Sequence, residues 1–344
     1  AAGGHPASGA QGRAAESPAS RKLLLGVLLW FATAILLGTL AFEVELDIGG
    51  DNAEYLVLAK SLASGEGYRR ISLPDPPPTE TQRPIGYPAL LAGLILVFGD
   101  RLWVLKAASL VAFGLAAAGA WYLLRDEERK RGLIVAGALI LFVFNLNSTR
   151  YASICGTETL FTLCGILVLI AVEQAARKTR GAMWGWAGLA GLLTAYACYV
   201  RPNGVAIVPA VLLYLGLRKR WGPALVASGL AVVALSPWLW QQQQFTAEGE
   251  HTYMRHALAD TGGEEAGWQT RLAKLSRRVG INAMAHWLSA GQMILAKPES
   301  FSLRPRPLGA RGGSVEEDSG PSEEMQAEAA APEQAREPLS LRRL

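Results

Sequence analysis

The chain has 344 residues, of which 51% are hydrophobic and 18% charged, a balance shifted away from soluble domains toward a polytopic membrane protein. Its net charge is only +4, and its basic residues fall in short loops between apolar runs. They report topology and exclude a nucleic-acid-binding surface.

Residues 1–22 are rich in Ala, Gly, Ser and Pro up to position 20 and predict a disordered cytoplasmic amino terminus. The run 23–42 (LLLGVLLWFATAILLGTLAF) carries no charge. At about 20 residues it is long enough to cross a hydrocarbon core of about 30 Å as a helix, and too long for a signal-peptide core. Residues 51–63 (DNAEYLVLAKSLA) put Tyr55, Leu58, Ala59 and Leu62 on one helical face. Asp51 is placed to cap that helix, and Gly65 and Gly67 to end it. A proline-rich stretch then reaches TQRPIGYP, which carries Arg83 and Tyr87. The following run, 88–98, is about 11 residues long and predicts a re-entrant or interfacial segment.

Further apolar runs lie at 102–124, 132–149, 157–172, 181–200, 203–217 and 222–240. Basic clusters sit at Arg21–Lys22, Arg125–Arg131, Arg177–Arg180 and Arg218–Arg220. All four fall on the cytoplasmic side only if an even number of spans separates each pair. With 88–98 set aside, this gives seven spans over 23–240 and outer segments at 43–101, 146–156 and 201–203. Trp238 and Trp240 suit an interfacial aromatic belt. Residues 241–300 predict a polar outer loop with one amphipathic helix near 280–296, and 301–344 an acidic low-complexity tail. Cys155, Cys164 and Cys198 fall in or beside apolar runs without metal-ligand spacing and predict buried, inert thiols. The fold class is therefore all-α: a membrane helical bundle with juxtamembrane helices in its first outer loop.

This sidedness gathers Asp51, Arg83, Tyr87, Arg150, Tyr151, Glu158 and Arg201 on the outer face. Bland roles exist for each: a helix cap for Asp51, snorkelling for Arg201, solvated loop positions for Arg83 and Arg150. Three arginines and two carboxylates at span ends are nonetheless expensive enough to predict a site.

The pattern D-x-A-x-Y-x-x-x-A-x-x-L-x-x-G (51–65), followed by RPIGYP (83–88), RYAS…TETLF (150–161) and YVRPNG (199–204), resembles the GT-C membrane glycosyltransferases. The resemblance is to the lipid-carrier-dependent branch that includes protein O-mannosyltransferases and aminoarabinose transferases, and it covers roughly 23–300. It implies a polyprenyl-phosphate sugar donor and a protein, lipid or glycan acceptor. It also implies an extracytoplasmic site in a bilayer, in a bacterial inner membrane. Asp51 falls on the position of the family's catalytic base, and Arg83 and Arg201 near positions associated with the lipid phosphate. Tyr87, Arg150, Tyr151 and Glu158 complete the expected substrate-binding set. Many members carry an acid directly after the aspartate, where this chain has Asn52; Asp47 could supply a second carboxylate, without motif support. No cofactor is expected, because the four histidines lie in tail or outer-loop sequence; a carboxylate-bound divalent ion stays open. Two other readings stay open: a transporter or flippase for an anionic or lipid-linked substrate, and an inactive relative lacking the family's later spans.

Overall fold

The computed structural model describes residues 18–42, 44–45, 51–74, 79–80 and 82–245, with isolated positions between 269 and 284. The expected amphipathic helix near 280–296, the tail 301–344, Asp47 and the four histidines lie outside the described residues or at their sparse edge.

Among the described residues the continuous elements are all helical: α1 (Pro18–Leu40), α2 (Asn52–Ala63), α3 (Gly86–Phe98), α4 (Leu102–Val143), α5 (Leu146–Ala152), α6 (Thr157–Arg177), α7 (Arg180–Val200), α8 (Ile207–Leu217) and α9 (Trp221–Phe245). A single 3₁₀ turn, Pro202–Ala206, precedes α8. The first helix starts at Pro18, so the end of the expected disordered tail is helical and carries Arg21 and Lys22 beyond the apolar run.

Side-chain contacts fix the direction of each helix. Gly26 faces Trp121 and Gly38 faces Leu110, so α1 runs antiparallel to the first arm of α4, Leu102–Glu127. The backbone leaves helical geometry at Arg131 (φ −139°, ψ 41°). The second arm, Arg131–Val143, folds back, with Val135 and Leu139 against Trp121 and the Phe142 ring 6.2 Å from Phe113. Asn145 then breaks the chain in extended geometry and caps α5 through bonds from the Asn147 and Ser148 amides. The next helix, α6, returns along α4, where Ile166 fills the space beside Gly119. An ion pair from Arg201 to Glu158 brings the end of α7 to the start of α6. The last helix, α9, runs parallel to α7, with Trp184 at Gly222, Gly191 at Ala227 and Tyr199 bonded to the Ala234 carbonyl.

The described helices run up and down the bundle, but not as the seven unbroken spans expected. Among the described residues four helices are long and apolar enough to cross a membrane: Arg21–Leu40, Leu102–Glu127, Thr157–Arg177 and Trp221–Gln241. The expected span at 132–149 is split at Asn145, and that at 203–217 is a 3₁₀ turn plus an 11-residue helix. At 1.5 Å per residue, an 11- or 13-residue helix reaches only about 16–20 Å. Another helix, α7, has the length of a span but is not among the four, and it is rich in Gly, Ala and aromatic residues. It uses those small residues to approach α9 closely, the packing mode of helices in lipid. The short helix α3 is not among the four; Tyr87, Leu91 and Ala92 pack it onto Tyr55 and Ala59 of α2.

Large apolar side chains cover the outside of the bundle, among them Leu25, Leu29, Leu133, Leu225 and Val233. Such a surface suits hydrocarbon and not water. Trp240 is exposed as a belt residue would be, whereas Trp238 is a correction: it is buried against Tyr199, Cys198 and Leu235 because its helix face points at α7.

Candidate functional site

The ends of the bundle differ in charge. At one end the predicted basic clusters meet: Arg177 pairs with Asp126 across α6 and α4, and Arg218 lies 3.9 Å from Glu173, which Tyr214 also bonds. At the other end lie the start of α2, the 66–86 loop, the start of α6 and the end of α7.

The loop is folded around a carboxylate that no sequence motif singles out. Glu80 is buried; its Oε1 accepts from the amides of Gln82 (2.7 Å) and Arg83 (3.2 Å), and its Oε2 pairs with Arg70. The Tyr68 hydroxyl donates to the Arg83 carbonyl at 3.1 Å. Burial, with the Glu80 charge, pushes the Tyr68 phenol far up, so it stays a neutral donor. From the far end of the chain, Gln241 bonds the Thr79 hydroxyl at 3.1 Å. Arg83 therefore has its backbone held on both sides.

Its side chain is only 16% exposed and is held by two carboxylates. Nη2 donates to Asp51 Oδ1 at 2.9 Å, and Nη1 pairs with Glu54 Oε2. Asp51 and Glu54 are three residues apart, which places both on one face of the first helical turn. The expected capping role of Asp51 is not what the structure shows. Its backbone is already helical (φ −81°, ψ −3°) and its carboxylate makes no cap bond, because the guanidinium has taken it.

Glycine joins the motifs. A Cβ on Gly86 would lie 2.6 Å from the backbone of Tyr199, so only glycine lets the 83–88 segment abut the end of α7. There Arg201 donates to Glu158 Oε1 at 2.8 Å, with both side chains about one-third exposed. Tyr55 bridges the two ion pairs: it is buried beside Thr157, in the field of Asp51, Arg83 and Glu158. Burial first, and the Asp51 charge second, raise its phenol above the ordinary value. Its ring meets Tyr87 edge-on at 5.5 Å.

The structure therefore joins Asp51, Arg83, Glu158 and Arg201 and adds Glu54 and Glu80. Tyr87 is 1% exposed and bonded to Ser109, a core position beneath the site. Arg150 and Tyr151 lie on exposed faces of α5, with no bond to this group among the described residues. A further buried cation, Lys106 (2% exposed), donates to the Glu45 carbonyl at 2.7 Å and lies over the Phe42 ring, tying the end of α1 to α4. Burial pushes the nearby Cys155 thiol up to about 11. Among the described residues no three acidic, His or Cys side chains converge as a metal-binding group.

Residues 82–240, just under half of the chain, match the family model of dolichyl-phosphate-mannose-protein mannosyltransferases. That segment contains Arg83, Tyr87, Arg150, Tyr151, Glu158 and Arg201; Asp51 and Glu54 precede it. No match is found among curated proteins or among solved structures. The family match, on an all-helical bundle with four candidate spans, supports a membrane glycosyltransferase of the GT-C type.

Proposed function

We propose that this chain transfers a sugar from a polyprenyl-phosphate donor to an acceptor on the extracytoplasmic face of a membrane, with inversion at the anomeric carbon. The observation that carries the reading is the grouping of Asp51, Arg83, Glu158 and Arg201 at the bundle end opposite the basic clusters.

A lipid phosphate is a good leaving group, so the reaction needs a base and fixed positive charge more than a strong acid. In this reading Asp51 takes the proton from the acceptor hydroxyl or amine. The acceptor heteroatom forms a bond to C1 as the C1–O bond to phosphate breaks, and its electron pair leaves on the phosphate oxygen. Arg83 and Arg201 hold that oxygen, their planar guanidinium groups being suited to two-point phosphate contacts. The lipid tail lies along the apolar bundle in the bilayer, and the acceptor is a protein, lipid or glycan. The enzyme is placed in a bacterial inner membrane with its site toward the periplasm.

The test is transfer from radiolabelled polyprenyl-phosphate sugars in membranes. Asp51→Asn is expected to lower transfer by at least about 100-fold, the scale of a lost general base, while donor binding is retained. Undiminished transfer by that variant removes Asp51 from the role.

A further inference from the structure

With its ion pairs closed, the candidate site is not an anion cradle. Arg83 and Arg201 carry two positive charges, and Asp51, Glu54 and Glu158 carry three negative ones. An incoming phosphate meets a net negative group, and each guanidinium already spends donors on a carboxylate. For the arginines to grip phosphate, carboxylates must let go.

The geometry around Arg83 fits an exchange made by the side chain alone. Its backbone is pinned by Glu80 and Tyr68 through the amide and the carbonyl. Its Nε is buried and has no hydrogen-bond partner among the described residues, which leaves the guanidinium unsaturated by them. Its two carboxylates are more exposed as side chains than the arginine, Asp51 58% and Glu54 40% against 16%, although the Glu54 Oε2 that faces the guanidinium is itself buried. Ion pairs this open to solvent are weak enough to trade. While Oδ1 of Asp51 accepts from Arg83, an acceptor hydroxyl must compete with a guanidinium for that oxygen.

We propose that Asp51 and Glu54 hold Arg83 as a displaceable counter-ion, and that a lipid phosphate monoester takes the arginine from them and frees Asp51 to receive the acceptor's proton. The donor then binds before the acceptor becomes reactive, and Glu54 is a positioning residue that competes with the phosphate. This rests on the transferase reading of the same site.

The sign of one substitution separates the exchange from a structural role. The full chain in lipid nanodiscs is titrated with sugar-free polyprenyl monophosphate, neutral polyprenol and inorganic phosphate. Wild type is expected to bind the lipid phosphate and not the polyprenol. Glu54→Gln removes a competitor and is expected to tighten that binding roughly two- to fivefold, the worth of a part-exposed pair. The donor KM falls with it, and kcat does not rise. Should Glu54→Gln fail to fold, Asp51→Asn carries the same expected sign in binding, with transfer lost. Binding by wild type that is unchanged or weakened in both variants overturns the exchange and leaves the transferase reading standing. No binding of polyprenyl phosphate by wild type overturns both. Inorganic phosphate binding as tightly as the lipid overturns the lipid-donor form of the proposal.

Discussion

Glu80 shows what a buried carboxylate does for a neighbouring arginine. It satisfies two backbone amides and Arg70 at once, which offsets the desolvation of its charge. Glu80→Gln keeps the shape, removes the charge opposite Arg70 and turns an amide group toward one of those N–H donors. We expect a loss of about 1–3 kcal/mol, read as a lower unfolding temperature in detergent, and weaker binding of polyprenyl phosphate as Arg83 loosens. Glu80 was not legible in the sequence because its partners are backbone groups two and three residues on, meeting it only once the proline-rich loop closes. Asp51 was legible as a singular residue and candidate base; only its expected capping bond is missing. Local capping competes with any nearby cation, and Arg83, 32 positions away, won. Glu54 could not be singled out in the sequence, because helical spacing shows which residues share a face, not what faces them.

At the scale of elements, glycine sets how closely the helices approach. A Cβ on Gly191 would lie 2.5 Å from the Ala227 carbonyl oxygen, so Gly191→Ala must push α7 off α9. The expected cost is about 1–3 kcal/mol, measured as reduced thermal stability against Gly185→Ala, whose added methyl meets nothing within 4 Å. Because α7 also carries Arg201, Gly191→Ala should disturb the Arg201–Glu158 pair and raise the donor KM. The sequence showed where the apolar runs lie, and with them the four helices long and apolar enough to span. It did not show how each passage is built. Hydropathy over 132–149 is nearly continuous, yet Asn145 ends one helix and caps another, because a side chain that satisfies two amides competes with continuing the ladder. The run 88–98 was legible as a short apolar segment, and its helix is 13 residues long.

For the whole molecule the decisive quantity is the separation of the two charged ends. Glu66 stands in the loop beside the candidate site, and Lys178 follows α6 among the basic residues at the opposite end; both are exposed. If the bundle sits in a bilayer along its helices, single cysteines at these two positions must react with a membrane-impermeant maleimide from opposite sides. The native thiols should stay silent: Cys155, Cys164 and Cys198 are all buried, and burial keeps the Cys155 thiol protonated at neutral pH. The reporters can therefore be placed in the wild-type chain. A third reporter at Val233, well inside the candidate span Trp221–Gln241 and exposed on the bundle flank, should resist the aqueous reagent in membranes and react after transfer to denaturant. The positive-inside rule assigns the Lys178 end to the cytoplasm, so Glu66→Cys should label in intact cells and Lys178→Cys only after lysis. Labelling of both from one side would mean that the helices do not cross the bilayer between them. The carboxylate–arginine group would then lose its place on the face where the polyprenyl-phosphate donor is expected, whatever its internal geometry.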